Sequence, residues 1–112
     1  MVQSKSRCME IELLYFESCP TYRTALKDLE SVIREEGVEA RVALTRVESE
    51  RDAARFQFLG SPTLRVNGVD VEQPARLAKQ YRLTCRIYRV NGKMLRSPSR
   101  EMLTDAIRAA RT

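Results

Sequence analysis

The spacing of apolar residues changes inside one short stretch, Phe16-Glu17-Ser18-Cys19-Pro20-Thr21-Tyr22, and that change constrains the fold more than any other feature. Upstream, Ile11 to Phe16 is nearly all apolar, with Glu10 and Glu12 only at its start. Such a run predicts a central strand covered on both faces. From Thr21 onward, Tyr22, Ala25, Leu26, Leu29, Val32 and Ile33 recur at spacings of three and four, the stripe of an amphipathic helix. Gly37 follows directly and suits the left-handed residue that ends a helix. Cys19 therefore falls at a strand-to-helix junction. The first helical N–H groups point outward there and carry partial positive charge, which favours thiolate over thiol.

Farther along, Val38, Ala40, Val42 and Leu44 alternate with Glu39, Arg41 and Ala43, which predicts a second strand. Ser49, with Asp52 three residues on, caps a short helix over 50–58 carrying Ala53, Ala54 and Phe58. Gly60-Ser61-Pro62-Thr63 breaks it. Thr63 to Val66, Asn67-Gly68 and Val69 to Glu72 then read as a hairpin, since Asn-Gly suits a type I′ turn. A less regular stretch leads into a strand over Tyr81 to Val90, with Leu83, Cys85 and Ile87 on one apolar face. Asn91-Gly92 predicts a return through Lys93 to Arg96. Ser97-Pro98 reads as a cap and first-turn proline for a helix over 98–110, with Met102, Leu103, Ala106, Ile107 and Ala110 inward. Strands joined by helices imply parallel pairing in the first half, and hairpins add antiparallel strands. The expected fold is α/β: a central mixed sheet flanked by helices, with an extra strand or hairpin before the C-terminal helix.

The 112 residues make one domain, with residues 1–8 as a flexible N-terminal tail. No apolar run approaches the roughly 20 residues that span a bilayer, so no membrane partner is expected. The polar, basic start has no apolar stretch behind it, which makes the cytoplasm the expected location. Three cysteines, an odd number, do not make a disulfide scaffold and are expected to be free, catalytic or metal-binding. The absence of histidine excludes the usual zinc sites and every Ser-His or Cys-His arrangement. No cofactor and no resident metal are expected. Sixteen of the twenty basic residues are arginine, scattered through every segment, so the net charge of +5 reads as a surface with local ion pairs. Nucleic-acid binding would need a stripe on one face.

Two motifs together resemble the thioredoxin-like superfamily. One is Leu13-Leu14-Tyr15-Phe16-Glu17-Ser18-Cys19-Pro20-Thr21-Tyr22 before a helix; the other is Gly60-Ser61-Pro62-Thr63-Leu64-Arg65-Val66-Asn67-Gly68, similar to that family's cis-proline loop and hairpin. With the later Leu83-Thr84-Cys85-Arg86-Ile87-Tyr88-Arg89, the chain resembles small stand-alone members of unassigned activity. The resemblance implies that Cys19, Ser61 and Pro62 form one site, with Pro20 and Thr63 beside them, and that the Ser61 backbone pairs with an extended substrate. It also exposes a departure. Family redox members resolve a mixed disulfide with the second cysteine of C-x-x-C, and here that position is Tyr22.

Three functions follow. The first is thiol–disulfide exchange with a protein or small-molecule partner, with Cys19 as nucleophile. Cys85 or an external thiol would resolve the intermediate, and the Tyr22 hydroxyl could donate to the thiolate. The second is a redox-inactive peptide-binding module using the Ser61-Pro62 edge. The third is handling of a soft metal or organomercurial by Cys19 and Cys85, since thiolates select soft ions. Cys85 on an apolar face also reads as a core cysteine. Arg23, Lys27 and Glu17 lie close enough in sequence to tune Cys19.

Overall fold

The computed structural model describes residues 8–111. The expected tail, 1–8, lies outside them except for Cys8, which is half-buried. The chain is an α/β protein with a mixed four-stranded sheet, three helices and a separate two-stranded hairpin. The strands of the sheet are β1 (Met9–Tyr15), β2 (Ala40–Arg46), β3 (Thr63–Val66) and β4 (Val69–Asp70), in spatial order β2-β1-β3-β4. β1 runs parallel to β2 and antiparallel to β3, with Leu13 opposite Leu44 on one side and Leu64 on the other. The apolar β1 is therefore internal to the sheet, as its composition required.

The two faces of the sheet are covered differently. Ile11, Leu13, Leu64 and Val66 pack on α1 (Tyr22–Glu36) and α3 (Arg100–Arg111) through Ala25, Leu29, Val32, Leu103 and Ile107. Leu14, which points the other way, packs with Val47, Ala53 and Phe58 under α2 (Glu50–Arg55). Gly37 ends α1 at φ 65°, and its N–H reaches the carbonyls of Ile33 and Arg34.

Several boundaries differ from expectation, each for a local reason. Leu44 is half exposed because β2 is an outer strand and has a neighbour on one side only. α2 stops at Arg55, and Gln57 adopts φ 54°, a turn that drops Phe58 into the core. β4 is two residues long because Asp70 turns aside to accept from the Glu72 N–H at 2.9 Å. α3 begins at Arg100, capped by Ser99, whose hydroxyl accepts from Met102 N–H at 3.1 Å; Ser97 and Pro98 precede the cap.

The largest correction concerns the stretch before the last hairpin. Only Tyr88–Val90 (β5) forms a strand, paired antiparallel with Lys93–Leu95 (β6). The alternation is also opposite to the expected one: Arg86 and Tyr88 turn inward, while Cys85 and Ile87 are exposed. An arginine can occupy the inner face because Asp70 and Glu72 meet it there. Cys85 is consequently not a core residue.

Many arginines form ion pairs: Arg41 with Glu10, Arg46 with Glu17 and Glu48, Arg100 with Glu35, and Arg108 and Arg111 with Glu36. Among the described residues no helix is long and apolar enough to cross a membrane.

The two-sided burial of β1 makes a direct expectation. Leu13→Ala, at a fully buried site, should lower stability by about 2–5 kcal/mol. The check is a lower urea midpoint with an unchanged slope.

Candidate functional site

Cys19 sits in the turn between β1 and α1. Its N–H donates to the Phe16 carbonyl at 3.1 Å, closing a tight loop that aims the sulfur at the start of the helix. Thr21 occupies the N-cap position of α1, yet its side chain makes no capping bond. Its hydroxyl instead stands 3.1 Å from the Arg96 carbonyl and 3.4 Å from the Cys19 sulfur. A single hydroxyl proton thus has two acceptors, and turns to the sulfur once the thiol has lost its own proton.

The second half of the site comes from the loop before β3. The Ser61–Pro62 peptide is cis. The Cys19 thiol donates to the Ser61 carbonyl at 3.6 Å. The Ser61 hydroxyl accepts from Phe16 N–H at 3.3 Å, so its own proton remains available to the sulfur. Cys19, Ser61 and Pro62 are therefore adjacent although distant in sequence. Thr63 is buried one step further along; its hydroxyl donates to the Gly60 carbonyl at 2.5 Å and accepts from Leu59 N–H. Pro20 lies exposed on the outer side of the turn.

Burial pushes the Cys19 thiol up, but hydrogen bonds from the Ser61 and Thr21 side chains and the Thr21 and Tyr22 N–H groups outweigh it. The net effect holds Cys19 below the ordinary thiol value. Hydrogen bonding to the ionised form is the cause; Arg23 and Glu17 are engaged elsewhere. Arg23 donates to the Tyr22 hydroxyl at 3.2 Å, and Glu17 pairs with Arg46 at 3.8 Å. Tyr22 stacks on Tyr15 with centroids 4.1 Å apart, and packs in the main core.

Cys85 arrives from a third direction. The Ser61 N–H donates to the Thr84 carbonyl at 2.8 Å, and the Arg86 N–H donates to the Ser61 carbonyl at 2.9 Å. This is a parallel β-bridge between Ser61 and Cys85. Both backbone groups that an external strand would use on Ser61 are thus taken by the chain itself. Gly60 makes the approach possible: at φ 110°, a Cβ on it would lie 2.9 Å from the Arg86 Cβ.

Arg86 anchors the segment. Its guanidinium is bidentate to Asp70 at 2.7 and 2.9 Å, reaches Glu72 at 3.2 Å and lies 4.1 Å from the Tyr88 ring centroid. Burial opposes its charge, but the hydrogen bonds and charge of Asp70 prevail and raise its pKa further. The Tyr88 hydroxyl donates to the Pro62 carbonyl at 2.5 Å, tying the anchor to the cis-proline loop.

Thr21, Thr84 and Arg86 were not singled out from the sequence. The one available signal was an arginine alternating with a tyrosine at Arg86 and Tyr88, downstream of two carboxylates at Asp70 and Glu72. Among the described residues, no group of three or more Cys, Asp or Glu side chains is placed to hold a metal ion. Comparison with protein-family models, curated proteins and solved structures found no match for this chain.

The hydrogen-bond origin of the Cys19 pKa is testable. Ser61→Ala keeps the backbone bridge and removes one donor, so the thiolate absorbance of Cys19 should titrate at higher pH than in the wild type. The sign for stability follows. A native pKa below the unfolded value of about 8.5 means that the folded state gains stability as pH rises between the two and loses it as pH falls. Ser61→Ala should flatten that slope in pH-dependent urea melts.

Proposed function

We propose that the chain is a thioredoxin-like thiol–disulfide exchange protein in which Cys19 supplies the nucleophilic thiolate. The single observation that carries this reading is the placement of the Cys19 sulfur at the start of α1, 3.4 Å from the Thr21 hydroxyl and 3.6 Å from the Ser61 carbonyl. The thiolate is the reactive form in exchange. Cys85, bridged to Ser61, is the candidate for the second thiol in place of Tyr22. The exchange partner is a thiol or disulfide, the compartment one that keeps thiols reduced, such as the cytoplasm. The ion-paired arginines support a surface with no nucleic-acid partner.

The peptide-binding alternative is weakened by the occupied Ser61 backbone. The test is oxidation of the reduced protein with a glutathione redox buffer, followed by peptide mapping. A Cys19–Cys85 link should form reversibly and be lost in Cys19→Ser. A Cys19 that stays reduced in the native protein while Cys85 is consumed would end the redox reading.

A further inference from the structure

Exposure divides the two thiols. Cys19 has only 2% of its surface exposed, whereas Cys85 is open to solvent. Exchange with an external disulfide needs the attacking sulfur to approach along the S–S axis, and a covered sulfur cannot meet that demand. We infer that Cys85, not Cys19, reacts first with the external disulfide, and that Cys19 acts second, as an internal nucleophile toward Cys85. This rests on the exchange function proposed above.

Three features support the order. The residues opposed in a β-bridge belong to backbones about 4.8 Å apart and turn their side chains to the same face. Cys85 is therefore on the Ser61 side-chain face, and Ser61 is the residue whose carbonyl takes the Cys19 thiol. Next, Arg86 fixes this placement through Asp70 and Glu72, so Cys85 is presented by an anchored segment although it is itself exposed. Finally, a cleft of about 640 Å³ is lined by Phe16, Glu17 and Ser18 of the turn that carries Cys19, by Arg46, Val47 and Glu48, and by Leu83, two residues before Cys85. That volume suits a small molecule. An extended polypeptide is disfavoured because Ser61 has no free backbone group to pair with it. The substrate class is accordingly a low-molecular-weight disulfide.

The chemistry balances in two steps. The Cys85 thiolate attacks one sulfur of the disulfide R–S–S–R, forming Cys85–S–S–R and releasing R–S⁻. The Cys19 thiolate then attacks the Cys85 sulfur, forming the Cys19–Cys85 disulfide and releasing the second R–S⁻. The two protons lost by the protein thiols pass through solvent to the two released thiolates. One small disulfide is reduced by two electrons, and the protein dithiol is oxidised by two.

Glutathione disulfide is the probe, with acid-quenched time points resolved by mass spectrometry in a Cys8→Ser background. In the otherwise unaltered protein, the transient glutathione adduct should sit on Cys85. Cys19→Ser, or Cys19→Ala if serine perturbs the buried site, should accumulate that adduct at close to the wild-type first-step rate. Cys85→Ser should take up glutathione at least tenfold more slowly. The transient appearing on Cys19, with Cys85→Ser reacting at the wild-type rate, would overturn the order and leave the exchange function standing. An adduct on Cys85 that never proceeds to the Cys19–Cys85 link would overturn both.

Discussion

A guanidinium with 5% of its surface exposed has to be matched by carboxylates, or the segment carrying it cannot stay where it is. Arg86 is matched by Asp70 in a fork geometry and by Glu72 beside it, and among the described residues no buried side-chain polar atom lacks a partner. Much of the second half depends on this pairing. It holds Thr84–Arg86 on Ser61 and seats Tyr88 against Pro62; the Arg89 N–H joins in by donating to Glu72 at 2.9 Å. Breaking one member of such a buried set typically costs about 3–5 kcal/mol, because the remaining charges lose their compensation.

The same arrangement accounts for a tension at Cys19. Covering a thiol raises its pKa and slows its encounters, yet this thiol is held below the ordinary value. Neighbouring formal charge is not the means. Two hydroxyls and two backbone N–H groups supply the compensation, and the two hydroxyls make further contacts, Ser61 with the Phe16 N–H and Thr21 with the Arg96 carbonyl. A covered but activated thiol suits reaction with a neighbour already in place better than reaction with a molecule arriving from solvent.

The β1–turn–α1 unit was legible in the sequence because period and composition agree there: a continuous apolar run, then a three-and-four stripe, then Gly37. The Ser61-Pro62 loop was legible from its proline and the Asn-Gly turn behind it. What escaped was decided by long-range pairing. Nothing local says that Arg86 is buried; its charge argues for the surface until Asp70 and Glu72 are known to face it. Once Arg86 turns inward, strand alternation sends Cys85 and Ile87 outward, so one misplaced side chain inverted the reading of the whole segment. Thr21 escaped for a related reason. Nothing local says that its hydroxyl stands between the Arg96 carbonyl and the Cys19 sulfur.

The Ser61 edge is filled by the chain's own Thr84–Arg86 segment, so an outside strand competes with a tethered rival. If that rival were lifted only about one part in a hundred of the time, the apparent affinity of any peptide for Ser61 would fall about a hundredfold. The close fit of Gly60 under Arg86 bears on the same equilibrium, because bulk added at that glycine acts on the rival rather than on the ligand. A screen for peptide ligands on the resting protein would therefore measure how often Thr84–Arg86 lets go as much as how well the site binds.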